Sequence, residues 1–190
     1  MLKRKNQSGF TLLEVAMVLI VASLIVIAVL SAQGVWDTAK FFRLERQVQE
    51  LKVAIALYEN KMGRLPGDSS PFPHDGEIDN ALGQEWYVEL NDENLVSSAA
   101  KAQRHPYADE VVLAYSDGDT TPGQNPFDLD INVFTYENIP VEWAEALDNA
   151  IDDGASNAGR VQATNPGLAA ALGTYGAAIG DLVDVWIRLD

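Results

Sequence analysis

The side chains that most often carry catalysis are scarce in this sequence. It has no cysteine, which excludes a thiolate nucleophile and a cysteine-ligated zinc site. Its two histidines, His74 and His105, lie beside prolines in polar stretches, and neither a Gly-x-Ser-x-Gly elbow nor a glycine-rich phosphate loop is present. Two histidines without thiols do not make up an ordinary zinc site within one chain. We therefore predict no catalytic residues and no enzyme activity.

Acidic side chains offer a different chemistry, the binding of calcium, which prefers clustered carboxylate oxygens. Four aspartates flank a loop that contains glycine and proline, and they form the candidate site: Asp117, Asp119, Asp128 and Asp130. Two other acidic clusters have the same character: Asp75 with Glu77 and Asp79, and Asp148 with Asp152 and Asp153. None of the three has the spacing of an EF-hand. The simpler interpretation, a solvated acidic surface without an ion, stays open for each of them.

Glu14 is the one charge in an apolar run of 21 residues, at positions 10–30. Such a run is long enough to cross a bilayer as a helix, whereas the apolar region of a secretory signal peptide has only about 7–15 residues. Lys3, Arg4 and Lys5 precede the run, so the positive-inside rule predicts a cytoplasmic N-terminus and an exported remainder. A carboxylate at membrane depth is functional by default, although one near a helix end can also reach the headgroups.

Cleavage after Gly9 would supply a partner for this carboxylate. A cut there creates a new α-ammonium group on Phe10, four residues before Glu14. Residues four apart lie on one face of a helix, so the ammonium and the carboxylate would occupy the same apolar layer.

The hexapeptide GFTLLE at residues 9–14 follows a short basic leader and precedes an apolar run. In this it resembles the prepilin processing site of type IV pilins and type II secretion pseudopilins. The resemblance implies that a membrane aspartyl peptidase cuts after Gly9 and methylates Phe10. It also implies that Glu14 pairs with the N-terminus of a neighbouring subunit during filament assembly. Many type IV pilins close a C-terminal loop with a disulfide, so the lack of cysteine favours the major pseudopilins. These hold calcium near their C-terminal sheet, which favours the Asp117–Asp130 cluster among the three acidic clusters.

The charge is distributed unevenly along the chain. Residues 65–190 carry 23 acidic and four basic side chains, a formal charge of −19, whereas residues 33–64 carry six basic and four acidic ones, a charge of +2. Binding of nucleic acid needs a basic face. We therefore predict that the acidic part binds no nucleic acid.

Apolar periodicity predicts a single long helix from residue 10 to about residue 64. No proline interrupts it, and Gly63 with Pro66 beyond it is a typical helix end. In its second half, apolar residues recur at spacings of three and four: Phe41, Leu44, Val48, Leu51, Ile55, Tyr58 and Met62. This stripe predicts packing under a sheet, with a coiled coil as the alternative.

After the long helix, short apolar or alternating runs predict strands at residues 111–115, 131–136 and 183–189. Residues 154–180 are rich in Gly, Ala and Asn and predict a long loop or a poorly ordered segment. Two further helices are predicted, a short one marked by Leu82, Trp86 and Leu90, where a strand is the alternative, and one that Pro140 opens and Gly154 ends. The predicted fold class is α+β, a long N-terminal helix packed against a small antiparallel sheet.

Four segments follow from these patterns: a leader at 1–9, a transmembrane and filament-core helix at 10–32, an amphipathic helix at 33–64 and an acidic head at 65–190. The predicted function is a structural subunit of a type IV pilus-like filament. The alternatives are a major pseudopilin of a type II secretion system, a minor pilin or adhesin, and a membrane-anchored exported enzyme or binding domain. The expected partners are other copies of the chain, a prepilin peptidase, the inner membrane and an assembly platform. We expect a single-pass inner-membrane protein before assembly and a periplasmic or cell-surface filament afterwards, with no required cofactor and calcium as the candidate ion.

Overall fold

The structure is a computed structural model that describes residues 10–71, 73–107, 109–116, 126–127, 129–166, 168, 171–178 and 180–189. The chain forms two compact units, one up to Ala39 and the other from Lys40 onward. The long helix α1 (Leu12–Met62) begins in the first unit and ends in the second. Its N-terminal part is the one stretch of the described chain that is long and apolar enough to cross a membrane, with a mean hydropathy of 3.0.

In the second unit, one face of α1 carries the predicted apolar stripe. Five residues of the stripe are buried: Leu44, Val48, Leu51, Ile55 and Tyr58. Met62, the last residue of the helix, is 45% exposed. Gly63 follows with a φ of +74°, the left-handed conformation that a glycine adopts readily, and its N–H bonds to the carbonyl of Glu59 at 2.8 Å. The predicted helix end is confirmed. The predicted stripe is confirmed at the five buried positions, whereas the prediction for Met62 is wrong.

Four antiparallel strands form one sheet in the second unit: β1 (Val111–Ser116), β2 (Ile131–Pro140), β3 (Val161–Thr164) and β4 (Leu182–Arg188). Their spatial order is β1-β2-β4-β3. Phe134 of β2 lies opposite Leu113 of β1 and Ile187 of β4, and these three side chains join the buried face of α1 in a single apolar core. The expected α+β layout, a long helix with a small antiparallel sheet, is confirmed.

The described part of the second unit also contains three short α-helices: α2 (Trp86–Asp92), α3 (Ala99–Ala102) and α4 (Val141–Ile151). Trp86 and Leu90 are buried as predicted, and the alternative of a strand there is wrong. The prediction for Leu82 is also wrong, because this residue precedes α2 and is 97% exposed. Pro140 ends β2 and immediately precedes α4, so the helix begins one residue later than predicted.

The prediction that residues 154–180 form a single loop is wrong. This segment contains β3, whose Val161 and Ala163 enter the core opposite Ile187 and Val185 of β4. A short 3₁₀ helix at Tyr175–Ala177 follows. The sequence of β3, Val-Gln-Ala-Thr, alternates apolar and polar residues, but it is only four residues long and lies in a segment rich in Gly, Ala and Asn, so the strand signal is weak.

Candidate functional site at the start of the long helix

Glu14 and Thr11 form a closed hydrogen-bond pair at the start of α1. The backbone N–H of Thr11 donates to Glu14 Oε2 at 2.8 Å, and the Thr11 hydroxyl donates to the same oxygen at 3.0 Å. In return, the N–H of Glu14 donates to Thr11 Oγ1 at 3.2 Å. Because α1 begins at Leu12, Thr11 is the N-cap residue and Glu14 is the third helical residue, which is the arrangement of a capping box.

This cap explains why α1 begins two residues later than predicted. Phe10 lies before the helix and is 86% exposed. In the uncleaved chain, Phe10 therefore does not lie on the helix face that carries Glu14, although the spacing of four residues had suggested that it would. Gly9, the other residue of the predicted processing site, lies outside the described residues. Thr11 was not among the predicted functional residues, although the Thr-x-x-Glu spacing before an apolar run is a recognised signal of a capping box.

Behind this cap, the first unit presents an apolar helix surface. Its large side chains between Leu12 and Leu30 are between about one half and nine tenths exposed, for example Leu13 at 69% and Ile27 at 60%. An apolar surface of this extent is unfavourable in water and marks a contact with membrane or protein. Glu14 is thus the only ionisable side chain at the N-terminal end of a surface that needs an apolar environment.

A comparison with protein-family models identifies this same region. The family model described as the prokaryotic N-terminal methylation motif matches residues 4–30. No curated protein and no solved structure gives a match to the chain. The chain therefore carries the prepilin-type motif of type IV pilins and pseudopilins, and the predicted resemblance is confirmed. The motif supports a type IV pilin-like or pseudopilin protein, a family that is structural rather than catalytic.

The predicted calcium site falls largely on undescribed positions. Asp117, Asp119 and Asp128 lie outside the described residues, and Asp130 is exposed. The cluster thus stays a prediction.

A second acidic cluster is well described, at the end of α4. Carboxylate oxygens of Asp148, Asp152 and Asp153 all lie within 4.8 Å of one another. Asp148 is fully buried and accepts a hydrogen bond from the Tyr175 hydroxyl at 2.8 Å, and burial raises the pKa of its carboxyl. Asp152 Oδ2 accepts the N–H of Val161 at 3.3 Å. These contacts give two of the three carboxylates a structural role in the loop before β3.

The two histidines serve the fold in different ways. His105 is buried, its Nε2 donates to the carbonyl of Glu137 at 2.8 Å, and its Nδ1 accepts the N–H of Tyr107 at 3.3 Å. Burial lowers the pKa of the His105 ring, which is therefore neutral near pH 7. His74 is about one third exposed, and its Nδ1 lies 3.5 Å from the carboxylate of Asp68. Both nitrogens of His105 are engaged within the fold, which argues against a catalytic role for this histidine.

Proposed function

We propose that this chain is a structural subunit of a type IV pilus-like filament that is made as an inner-membrane precursor. The prepilin-type motif at residues 4–30, followed by an exposed apolar helix, is the observation that carries the proposal. Once the helix leaves the bilayer, its apolar surface must be buried against another surface. Identical neighbouring helices supply that surface through a head-to-tail contact that does not close, which produces a filament.

The proposed processing step is cleavage after Gly9 by a prepilin peptidase, with methylation of the new α-amine on Phe10. The exposure of Phe10 and its position before α1 support this step, because the backbone there is not held in the helix. In the assembled filament, the Phe10 ammonium of one subunit pairs with Glu14 of a neighbour. A slip by one helical turn would move the two charges apart by about 5 Å, so the pair sets the axial register.

A major pseudopilin of a type II secretion system is the second candidate, and the absence of cysteine favours it. Both functions use the same precursor, processing and assembly. They differ in where the filament extends: a pilus leaves the cell surface, whereas a pseudopilus stays within the cell envelope. Neither requires a cofactor, and calcium bound by the acidic head is a separate proposal.

Intact mass spectrometry of the membrane fraction tests the processing step. We expect a chain that begins at Phe10 and carries one methyl group on its α-amine. Gly9→Val should stay uncut because the peptidase must accept a residue without a side chain there. Gly34→Ala is the matched control, since an added Cβ at this position of α1 meets nothing within 4 Å. A parent chain that keeps Met1, or that begins near Ala32, would contradict the proposal.

Electron microscopy of sheared surface material, with mass spectrometry of its filaments, tests assembly. Filaments that contain this chain outside the cell support a pilus. Filaments found only in the envelope fraction support a pseudopilus. Processed chain that forms no filament in either fraction would overturn the structural role.

A further inference from the structure

The capping box at the start of α1 uses only one oxygen of the Glu14 carboxylate. Oε2 accepts both the backbone N–H and the hydroxyl of Thr11, at 2.8 and 3.0 Å. Oε1 accepts no hydrogen bond from the residues that the structure describes. An ionised carboxylate has about four acceptor positions, so the side chain retains capacity for a further donor.

From this geometry we infer that Thr11 is a positioning residue for filament assembly, which holds Glu14 so that Oε1 is presented to the N-terminal ammonium of a second copy. The inference rests on the proposed function, since it concerns the contact through which that filament would form. Its new element is the assignment of a role to Thr11 and of separate roles to the two oxygens of Glu14.

Preorganisation is the physical reason for this role. A glutamate side chain has three rotatable torsions, and an intermolecular contact must immobilise them at a cost in entropy. In this chain the capping box has already restricted them, because two donors of Thr11 converge on one oxygen. The Thr11 hydroxyl also accepts the N–H of Glu14 at 3.2 Å, so it anchors both the backbone and the side chain of that residue.

The capping box also provides hydrogen bonds to Glu14 before the subunit joins a filament. Before cleavage after Gly9, a single subunit in the membrane has no α-ammonium on Phe10 to pair with Glu14. An ionised group without hydrogen bonds is strongly unfavourable in an apolar environment. Two hydrogen bonds from Thr11 satisfy part of the carboxylate within its own chain and leave the remaining oxygen for the partner.

Incorporation into parent filaments gives a graded test. Each full-length variant is expressed together with the parent, and mass spectrometry gives its share of the filaments divided by its share of the processed membrane pool. Thr11→Val removes the hydroxyl at nearly constant shape, and we expect incorporation to fall about tenfold, the size that corresponds to one hydrogen bond to a charged group. Thr11→Ser keeps the hydroxyl and should restore incorporation. If valine slows cleavage after Gly9, Thr11→Ala takes its place as the hydroxyl-free variant.

A matched control removes a hydroxyl elsewhere on the same helix. Ser31 Oγ donates to the carbonyl of Ile27 at 3.0 Å and is remote from Glu14 in the sequence. Ser31→Ala should therefore be incorporated like the parent. A loss with Ser31→Ala equal to that with Thr11→Val would overturn the inference, because it would show that any lost hydroxyl on α1 weakens assembly.

The combination with Glu14→Gln separates positioning from simple helix capping. If Thr11 acts through the charge of Glu14, Thr11→Val should cause no further loss in a Glu14→Gln background. A full additional loss there would show that Thr11 only caps the helix, and would overturn the inference. Parent-like incorporation of Thr11→Val would overturn it as well, while leaving the proposed filament intact. Absence of filaments from the parent itself would instead refute the proposed function.

Discussion

The guanidinium of Arg64 and the carboxylate of Glu89 form a two-pronged ion pair that joins the exit of α1 to α2. Arg64 Nη1 donates to Glu89 Oε2 at 2.9 Å, and Nη2 donates to Oε1. The side chains are only 14% and 11% exposed. Arg64 also donates to the carbonyl of Asp68 at 3.0 Å, and Glu89 Oε2 accepts the N–H of Gly67 at 2.8 Å. The pair therefore holds the turn through which the chain leaves the long helix.

Arg64→Met should destabilise the second unit by about 2–3 kcal/mol, because it leaves the largely buried Glu89 carboxylate without a counter-charge. Arg46→Met is the matched control: Arg46 pairs with Glu50 one turn along α1, but the two side chains are 79% and 61% exposed. Its loss should cost no more than about 0.5 kcal/mol. Urea unfolding of the full chain in detergent, followed by tryptophan fluorescence, measures both. Equal effects of the two variants would show that burial does not strengthen the Arg64 pair.

Two leucines near α2 allow a direct test of the core. Leu90 is fully buried, and Leu90→Ala should lower the free energy of unfolding by about 2–5 kcal/mol through lost burial and a residual cavity. Leu82 is 97% exposed, and Leu82→Ala should change the free energy of unfolding by less than about 0.5 kcal/mol. The same unfolding experiment compares the two. A large loss with Leu82→Ala would place that side chain in a contact that the structure does not show.

His105 should make stability depend on pH. Burial lowers the pKa of its ring, so between the lowered value and the ordinary value near 6.5 the unfolded chain binds the extra proton and the folded chain does not. The resulting loss of folding stability is absent above the ordinary pKa and grows as the pH falls through it. We expect the melting temperature to fall between about pH 7.5 and 5.5, more steeply in the parent than in His105→Gln.

Comparing His105→Gln with the parent isolates this histidine, because the comparison cancels the contribution of Glu137, whose pKa is raised by burial and by neighbouring carboxylates. Identical pH profiles for His105→Gln and the parent would refute the assignment.

Calcium should stabilise the chain if the aspartate loop binds it. A ligand that binds only the folded state raises the melting temperature by mass action. Replacing Asp117 and Asp119 with alanine should abolish this rise. If calcium still raises the melting temperature of that double variant, and no longer does so when Asp152 and Asp153 are replaced, the ion binds at the end of α4. No rise in the parent would remove the proposal of a calcium site.

Local sequence patterns determined much of this architecture. Residues within α1 recur at helical spacing over many turns, and Gly63 supplies a backbone conformation that ends the helix, so both signals are contained in short windows of sequence. The same holds for the hexapeptide at residues 9–14, since processing and capping depend on neighbouring residues along the chain. The alternating residues of β4 likewise revealed a strand before its partners were known.

Tertiary contacts decided the rest, because burial and pairing depend on residues far apart in the sequence. Val161–Thr164 is a strand because it pairs with β4, whereas its apolar and polar residues alternate over only four positions, which is too short a signal to identify a strand by itself. Leu82 and Leu90 are identical in type, but only Leu90 faces the core that α1 and the sheet supply. The sequence pattern predicts that Asp148 is exposed, whereas the fold buries it against Tyr175, 27 residues later. At the start of α1, the sequence indicated that Glu14 needs a partner, and the three-dimensional structure showed that Thr11 engages one of its two oxygens.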